Sequence, residues 1–195
     1  MLCALILSTQ RNADRFTRKM KKMLPPLTLV LGGASSGKSV VAENLIVNSA
    51  LSPVYLATSQ IWDQEIQLKV DQHIARRGEG GTTFEHPVAV WDALAEQNAS
   101  QAVLLDCLTM WLTNVMLEER DLEAAQTRLL TALSVCSSPE VVVSNEVGQG
   151  IVPDNALARR FREAQGRLNI ALAAQADCVL RVLAGLVDVR KGVLP

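Results

Sequence analysis

Leu27-Thr28-Leu29-Val30-Leu31-Gly32-Gly33-Ala34-Ser35-Ser36-Gly37-Lys38-Ser39 is an apolar run that breaks at two glycines and closes on Gly-Lys-Ser. The five residues before the glycines read as a buried strand, and the stretch from Lys38 to about Ser49 reads as a helix. Between them the residues satisfy G-x-x-x-x-G-K-[ST], the phosphate loop of nucleoside triphosphate enzymes, in the strand-before, helix-after setting that the motif requires. Gly32 and Gly37 allow the loop to curl so that its backbone N–H groups, with Ala34, Ser35 and Ser36, face a phosphate chain from the helix N-terminus. Lys38 is placed to reach the β and γ oxygens, and Ser39 to hold Mg²⁺.

Outward from this loop, further apolar runs occur at 53–57, 102–106, 140–144 and 178–183. Helical stretches are predicted near 38–49, 62–77, 88–97, 109–134 and 154–175, the last opened by Pro153-Asp154. Strands alternating with helices predict an α/β domain with a mostly parallel sheet covered on both faces. The segment 1–26 carries Arg11, Arg15, Arg18, Lys19, Lys21 and Lys22 without apolar periodicity, and reads as a flexible tail or an upstream-start extension. Residues 27–195 then form one domain.

Composition excludes several function classes. Nineteen Lys and Arg against 20 Asp and Glu give a net charge of -1, so no general field favours nucleic acid or anionic lipid, and any anion site is local. Cys3, Cys107, Cys136 and Cys178 are widely spaced and lack a C-x-x-C pair, as expected of reduced packing residues in a cytoplasmic protein. No apolar run approaches the ~20 residues of a membrane span.

The other candidate groups lie at strand ends and on one helix. Val103-Leu104-Leu105-Asp106 is an apolar strand ending in a carboxylate, so Asp106 reads either as the acid beside the metal of a phosphate loop or as the cap of the helix that follows. Asn145-Glu146 ends the next strand on the same carboxyl edge, where open α/β sheets bind ligands. Glu146 is a candidate for orienting a substrate hydroxyl or a metal-bound water, or for a structural contact. Lys69, His73 and Arg77 recur at i, i+4 and i+8 of the predicted 62–77 helix, with Arg76 beside them. Neighbouring cations disfavour protonation, which keeps the His73 imidazole neutral and nucleophilic, although a solvated basic face has the same pattern. His86 and Glu85 fall in a loop beside Pro87.

Together these segments resemble the bifunctional adenosylcobinamide kinase and adenosylcobinamide-phosphate guanylyltransferase family. The resemblance runs from Leu27 to about Ala184 and rests on the phosphate loop, Tyr55-Leu56-Ala57-Thr58-Ser59-Gln60, Lys69-Val70-x-x-His73-x-x-x-Arg77, Asp106-Cys107-Leu108-Thr109-Met110-Trp111-Leu112-Thr113-Asn114 and Ser144-Asn145-Glu146-Val147-Gly148-x-Gly150-Ile151-Val152-Pro153. It implies a P-loop, RecA-like fold and two reactions in cobalamin assembly. The first is phosphorylation of adenosylcobinamide by ATP or GTP with Mg²⁺; the second is GMP transfer from GTP to adenosylcobinamide phosphate through a GMP-histidine at His73. The nucleotide contacts it implies are Gly32, Gly33, Ala34, Ser35, Ser36, Gly37, Lys38 and Ser39, then Ala57, Thr58 and Ser59, then Ile74, Ala75, Arg76 and Arg77, with Glu85 and Asp106. Ser39 and Asp106 would hold the metal. A cytoplasmic homo-oligomer, a trimer, is implied as well. Two other readings share the phosphate loop: a small-molecule kinase with one activity, and a non-catalytic GTP-binding regulatory module.

Overall fold

The computed structural model describes residues 23–60, 64, 67, 68 and 80–195. Its strands are β1 (Leu27–Gly32), β2 (Ser52–Ala57), β3 (Thr82–Glu85), β4 (Gln101–Asp106), β5 (Glu140–Asn145), β6 (Cys178–Leu183) and β7 (Leu186–Lys191). They form one sheet in the order β3-β2-β4-β5-β1-β6-β7. Its helices are α1 (Lys38–Val47), α2 (Val90–Ala95), α3 (Leu108–Leu117), α4 (Leu122–Val135) and α5 (Ala156–Gln175). Every strand pair is parallel except β6 with β7, a hairpin. Parallel neighbours require crossovers, and crossovers lay helices on the sheet, as the alternating sequence pattern requires.

Period-two alternation divides the core into two layers. Leu27, Leu29, Val54, Leu56, Val103, Leu105 and Val142 face the side covered by α2 to α5, where Trp111, Leu129, Leu168 and Leu172 are fully buried. Val30, Tyr55, Leu104, Val141, Val143, Leu180 and Val182 face α1 through Ala42 and Ile46. Full burial of one such aliphatic side chain is worth about 1.5–3 kcal/mol, so both layers hold the sheet firmly.

Several elements depart from the sequence reading. The stretch expected as one helix over 109–134 is two, because Glu119 takes φ 52 and the Asp121 side chain accepts from the Ala124 N–H at 3.0 Å, starting α4 afresh. Pro153-Asp154 does not cap α5; Asn155 does, accepting from Leu157 N and Ala158 N. Strands β3 and β7 were not expected. The former is four residues at an edge, and the latter is exposed along its whole length, so neither carries a buried apolar run. A two-residue turn makes the second possible, since Ala184 and Gly185 both take positive φ (51 and 78), the conformation that matches hairpin twist. Of the expected 62–77 helix only Gln64, Gln67 and Leu68 are described, each helical; the rest of it lies outside the described residues, as does 1–22 of the expected tail. Part of that tail, 23–26, belongs to the domain: Leu24 sits in the α1-side core, and the Pro26 carbonyl accepts from Glu140 N at 2.8 Å. Cys107, Cys136 and Cys178 are free thiols.

Glu140 opens β5 with its carboxyl buried and its Oε1 without a hydrogen-bond partner. Burial pushes its pKa from 4.5 up to about 8, against a smaller lowering by the hydrogen bond to Cys136. An unfolded chain ionises this group near 4.5, so between that value and about 8 the folded state holds one more proton. Stability therefore falls as pH rises through this window and levels off above it. Calorimetric melting at about pH 5.5 and about pH 8.5 tests this: the parent loses melting temperature between the two, and Glu140→Gln removes most of that loss. Equal losses in parent and variant would assign the slope to another group.

Candidate functional site

The phosphate loop leaves β1 where backbone crowds it on both sides. Gly32 pairs in register with Asn145 of β5 and Val182 of β6. A Cβ at Gly32 would come within 2.7 Å of the Val182 carbonyl and run into the Ser36 hydroxyl. The loop then turns through a Ser36 N–H to Gly33 carbonyl bond of 3.3 Å and through Ser35 at φ 55. Gly37, at φ 93, stands at the N-cap of α1 and offers no capping side chain, so the first N–H groups of α1 stay available to an anion. Lys38 folds back over this mouth, its Nζ donating to the Gly33 carbonyl at 3.1 Å. From behind, the turn of the β6–β7 hairpin braces the loop, with Gly185 N donating to the Ser36 carbonyl at 2.8 Å.

Asp106 ends β4, two strands from β1, with β5 between. The N-cap of α3 falls to Cys107, whose side chain makes no capping bond, so Asp106 stands one residue outside the helix. The Cys107 thiol reports the local charges: burial, then Asp106, pushes its pKa up to about 11, while Lys38 pulls the other way. Carboxylate and ammonium thus both act on one sulfur. Among the described residues no cluster of three or more His, Cys, Asp or Glu could cage a metal. A hydroxyl (Ser39) and a carboxylate (Asp106) are the hard oxygen donors that suit Mg²⁺, which keeps most of its waters and takes one or two protein oxygens beside substrate phosphates. The residues present fit that ion.

The other predicted contacts lie elsewhere along the carboxyl edge. Ala57 pairs with Asp106 on one side and Glu85 on the other. Glu85 is exposed at the outermost strand, four strands and so ~19 Å from β1. Among the described residues it is remote from the phosphate loop and neighbours those that end β2. Thr58 is fully buried, and its hydroxyl is spent on the Cys107 peptide, donating to the carbonyl at 2.7 Å and accepting from the N–H at 3.0 Å. Of the 57–59 group, side-chain access to a nucleotide is left to Ala57 and Ser59. His73, Ile74, Ala75, Arg76 and Arg77 lie outside the described residues. Glu146, a candidate from sequence, is paired with Arg181 at 3.2 Å.

A rim of buried polar groups, not singled out by the sequence, fixes this edge. Asn114 Nδ2 donates to the carbonyls of Thr58 (2.8 Å) and Pro87 (2.9 Å), and Trp111 Nε1 to that of Val88 (2.8 Å), tying α3 to the exits of β2 and β3. Thr109 Oγ1 accepts from Asn145 N at 3.1 Å. On the α5 side, Asn169 Nδ2 donates to the Asn145 carbonyl (3.0 Å), and Gln165 Nε2 bonds Ser144 Oγ (2.9 Å). Asn114, Gln165 and Asn169 sit in helices where apolar periodicity hides them; a polar residue on an apolar helix face was the available signal.

A model of the family described as cobinamide kinase / cobinamide phosphate guanyltransferase matches residues 28–189. The bifunctional adenosylcobalamin biosynthesis protein CobP of Pseudomonas aeruginosa is 40% identical over 167 residues, covering 84% of this chain and 96% of that protein. The CobU protein of the same description from Salmonella typhimurium is 40% identical over 180 residues, covering 82% and 97%. Among solved structures, a Pyrococcus horikoshii OT3 protein superposes with a TM-score of 0.53 at 10% identity, covering 93% of this chain and 92% of that one. An ATPase from the type III secretion system of pathogenic bacteria gives 0.51 at 10% identity, covering 89% and 60%. At such identities the structural likeness shows the fold alone, that of P-loop NTPases.

The Thr58 hydroxyl holds the peptide that follows Asp106, so losing it should loosen the carboxylate without touching the loop. Thr58→Val should raise the Mg²⁺ concentration for half-maximal turnover several-fold, with Thr58→Ser closer to the parent. Superimposable Mg²⁺ titrations of Thr58→Val and parent would show that the clamp does not position Asp106.

Proposed function

This chain belongs to the cobinamide kinase / cobinamide phosphate guanyltransferase family, and from that premise we propose how its residues divide the two reactions. It is a bifunctional transferase of cobalamin biosynthesis, a kinase and a guanylyltransferase. The observation that carries the assignment of residues is the loop from Gly32 to Ser39 opening onto an uncapped α1, with the Asp106 carboxylate ending a strand two places away.

In the kinase step adenosylcobinamide is the acceptor and ATP or GTP the donor. Loop N–H groups hold the phosphate chain, and the Lys38 ammonium turns from the Gly33 carbonyl to the β and γ oxygens, where it offsets charge as the γ-phosphoryl moves. Mg²⁺, held through Ser39 and Asp106, would supply further charge neutralisation across the β and γ phosphates. Fixing both reactants within bonding distance supplies much of the acceleration.

In the guanylyl step the neutral His73 imidazole attacks the α-phosphorus of GTP, the bond to the pyrophosphate oxygen breaks, and Arg76 and Arg77 stabilise the departing anion. The phosphate of adenosylcobinamide phosphate then displaces GMP from the imidazole, giving adenosyl-GDP-cobinamide. His73 and its arginines come to this step from the family resemblance and from their i, i+4 spacing. A cytoplasmic setting accords with the absence, among the described residues, of a helix long and apolar enough to cross a membrane. A homo-oligomer, a trimer, completes the proposal.

Lys38→Ala should depress both activities by about two to three orders of magnitude, because either reaction needs the charge on its phosphates. Steady-state assays of each half-reaction check this, and near-parental kinase turnover would remove the loop from the phosphate site. His73→Ala should abolish covalent GMP, seen as the mass added to the intact chain after incubation with GTP and Mg²⁺, while part of the kinase activity survives. Labelling of the parent should decline as pH falls and protonation removes the imidazole lone pair. A GMP label on His73→Ala, or one mapped to His86 or a lysine, would defeat the nucleophile assignment.

A further inference from the structure

Asn145 ends β5, the strand lying between the phosphate-loop strand and the strand of Asp106. Val141 and Val143 face the α1-side core and Val142 the other, so alternation directs Asn145 to the α1 side, where Lys38 and Ser39 begin their helix. Leu104 faces the same side, which brings Asp106 there too. Leu105 pairs with Val142, and continuing that register sets Asp106 level with Val143, one same-face position behind Asn145. Asn145 itself pairs with Gly32, where the loop begins.

The backbone of Asn145 is held from both directions. Its N–H donates to Thr109 Oγ1, and its carbonyl accepts from Asn169 Nδ2, which the Ser144 hydroxyl and Gln165 fix in turn. The side chain is treated differently: Oδ1 is buried, and no described group donates to it. Buried acceptors are nearly always satisfied, and one left over between a phosphate loop and a metal carboxylate calls for a donor that arrives with a ligand. A substrate alcohol is such a donor. The neighbouring Glu146 is not a competitor for it, because its carboxylate is engaged by Arg181.

We propose that Asn145 is a further catalytic residue of phosphoryl transfer, its carboxamide oxygen accepting the hydrogen bond of the substrate alcohol and aiming the alcohol oxygen at the γ-phosphorus. This rests on the kinase reading of the loop. The alcohol oxygen forms the new P–O bond. The bond from the γ-phosphorus to the β,γ-bridging oxygen breaks, and the nucleoside diphosphate leaves with that electron pair. The alcohol proton passes to an oxygen of the transferred phosphoryl group and on to solvent, and Asn145 stays neutral throughout. Its contribution is orientation, which distinguishes it from Lys38 and Asp106, whose contribution is charge.

The test uses the full chain with cobinamide and saturating Mg²⁺–ATP. Asn145→Ala should lower kinase kcat about a hundredfold, while the dissociation constant of Mg²⁺–ATP and the melting temperature stay at parental values. Asn145→Asp keeps an acceptor in place and should recover kcat well above the alanine variant. A kcat for Asn145→Ala within about threefold of the parent would overturn the proposal. So would nucleotide affinity and melting temperature falling together with kcat, which marks a structural role. A parent that phosphorylates no cobinamide would overturn the kinase reading itself, an outcome distinct from a difference between variants.

Discussion

Strand β1 leaves the sheet wedged between the backbones of β5 and β6, and at Gly32 there is no space for a side chain. That close approach is the constraint on which the remaining architecture depends. It sets the point where the chain must turn, so the curled loop and the start of α1 fall at a fixed height above the sheet. On the other side β5 pairs with β1 in register, which brings its last residue, Asn145, level with Gly32. The ligand edge of this fold is a consequence of β4, β5 and β1 running out in parallel together, the first two ending in the polar residues Asp106 and Asn145.

Around that edge the polar side chains divide by task. Lys38, Ser39 and Asp106 are the groups that the proposed reading assigns to phosphates and a cation. Thr58, Thr109, Asn114 and Asn169 spend their hydrogen bonds on backbone groups of neighbouring elements, and Gln165 spends its own on the Ser144 hydroxyl. The second group makes the first precise. A buried hydrogen bond contributes only about 0.5–1.5 kcal/mol net, so this rim adds modestly to stability while excluding alternative placements of β2, β3 and α3.

Much of the phosphate site could be read in the sequence because its determinants are local: an apolar run, glycines at fixed spacing, then Lys and Ser. The five buried strands were equally visible, since a strand covered on both faces is apolar throughout. What escaped was set by tertiary context. Ala57 stands between Asp106 and Glu85 only through strand order, and no local pattern reveals that β3 lies four places from β1. The break at Glu119 carries no glycine or proline to announce it, and β7 buries nothing that would mark it as a strand. The resemblance implied Thr58 as a nucleotide contact, and only the fold shows that its hydroxyl bonds the backbone of Cys107.

The bond from Gly185 N to the Ser36 carbonyl joins positions that are separated by nearly the whole domain. A ribosome completes the phosphate-loop motif early and the hairpin that braces it last, so the motif exists as sequence long before it exists as shape. Long-range closure of this kind is slow compared with helix formation. During synthesis the nascent chain therefore carries the phosphate-loop motif before the hairpin that braces it has been made.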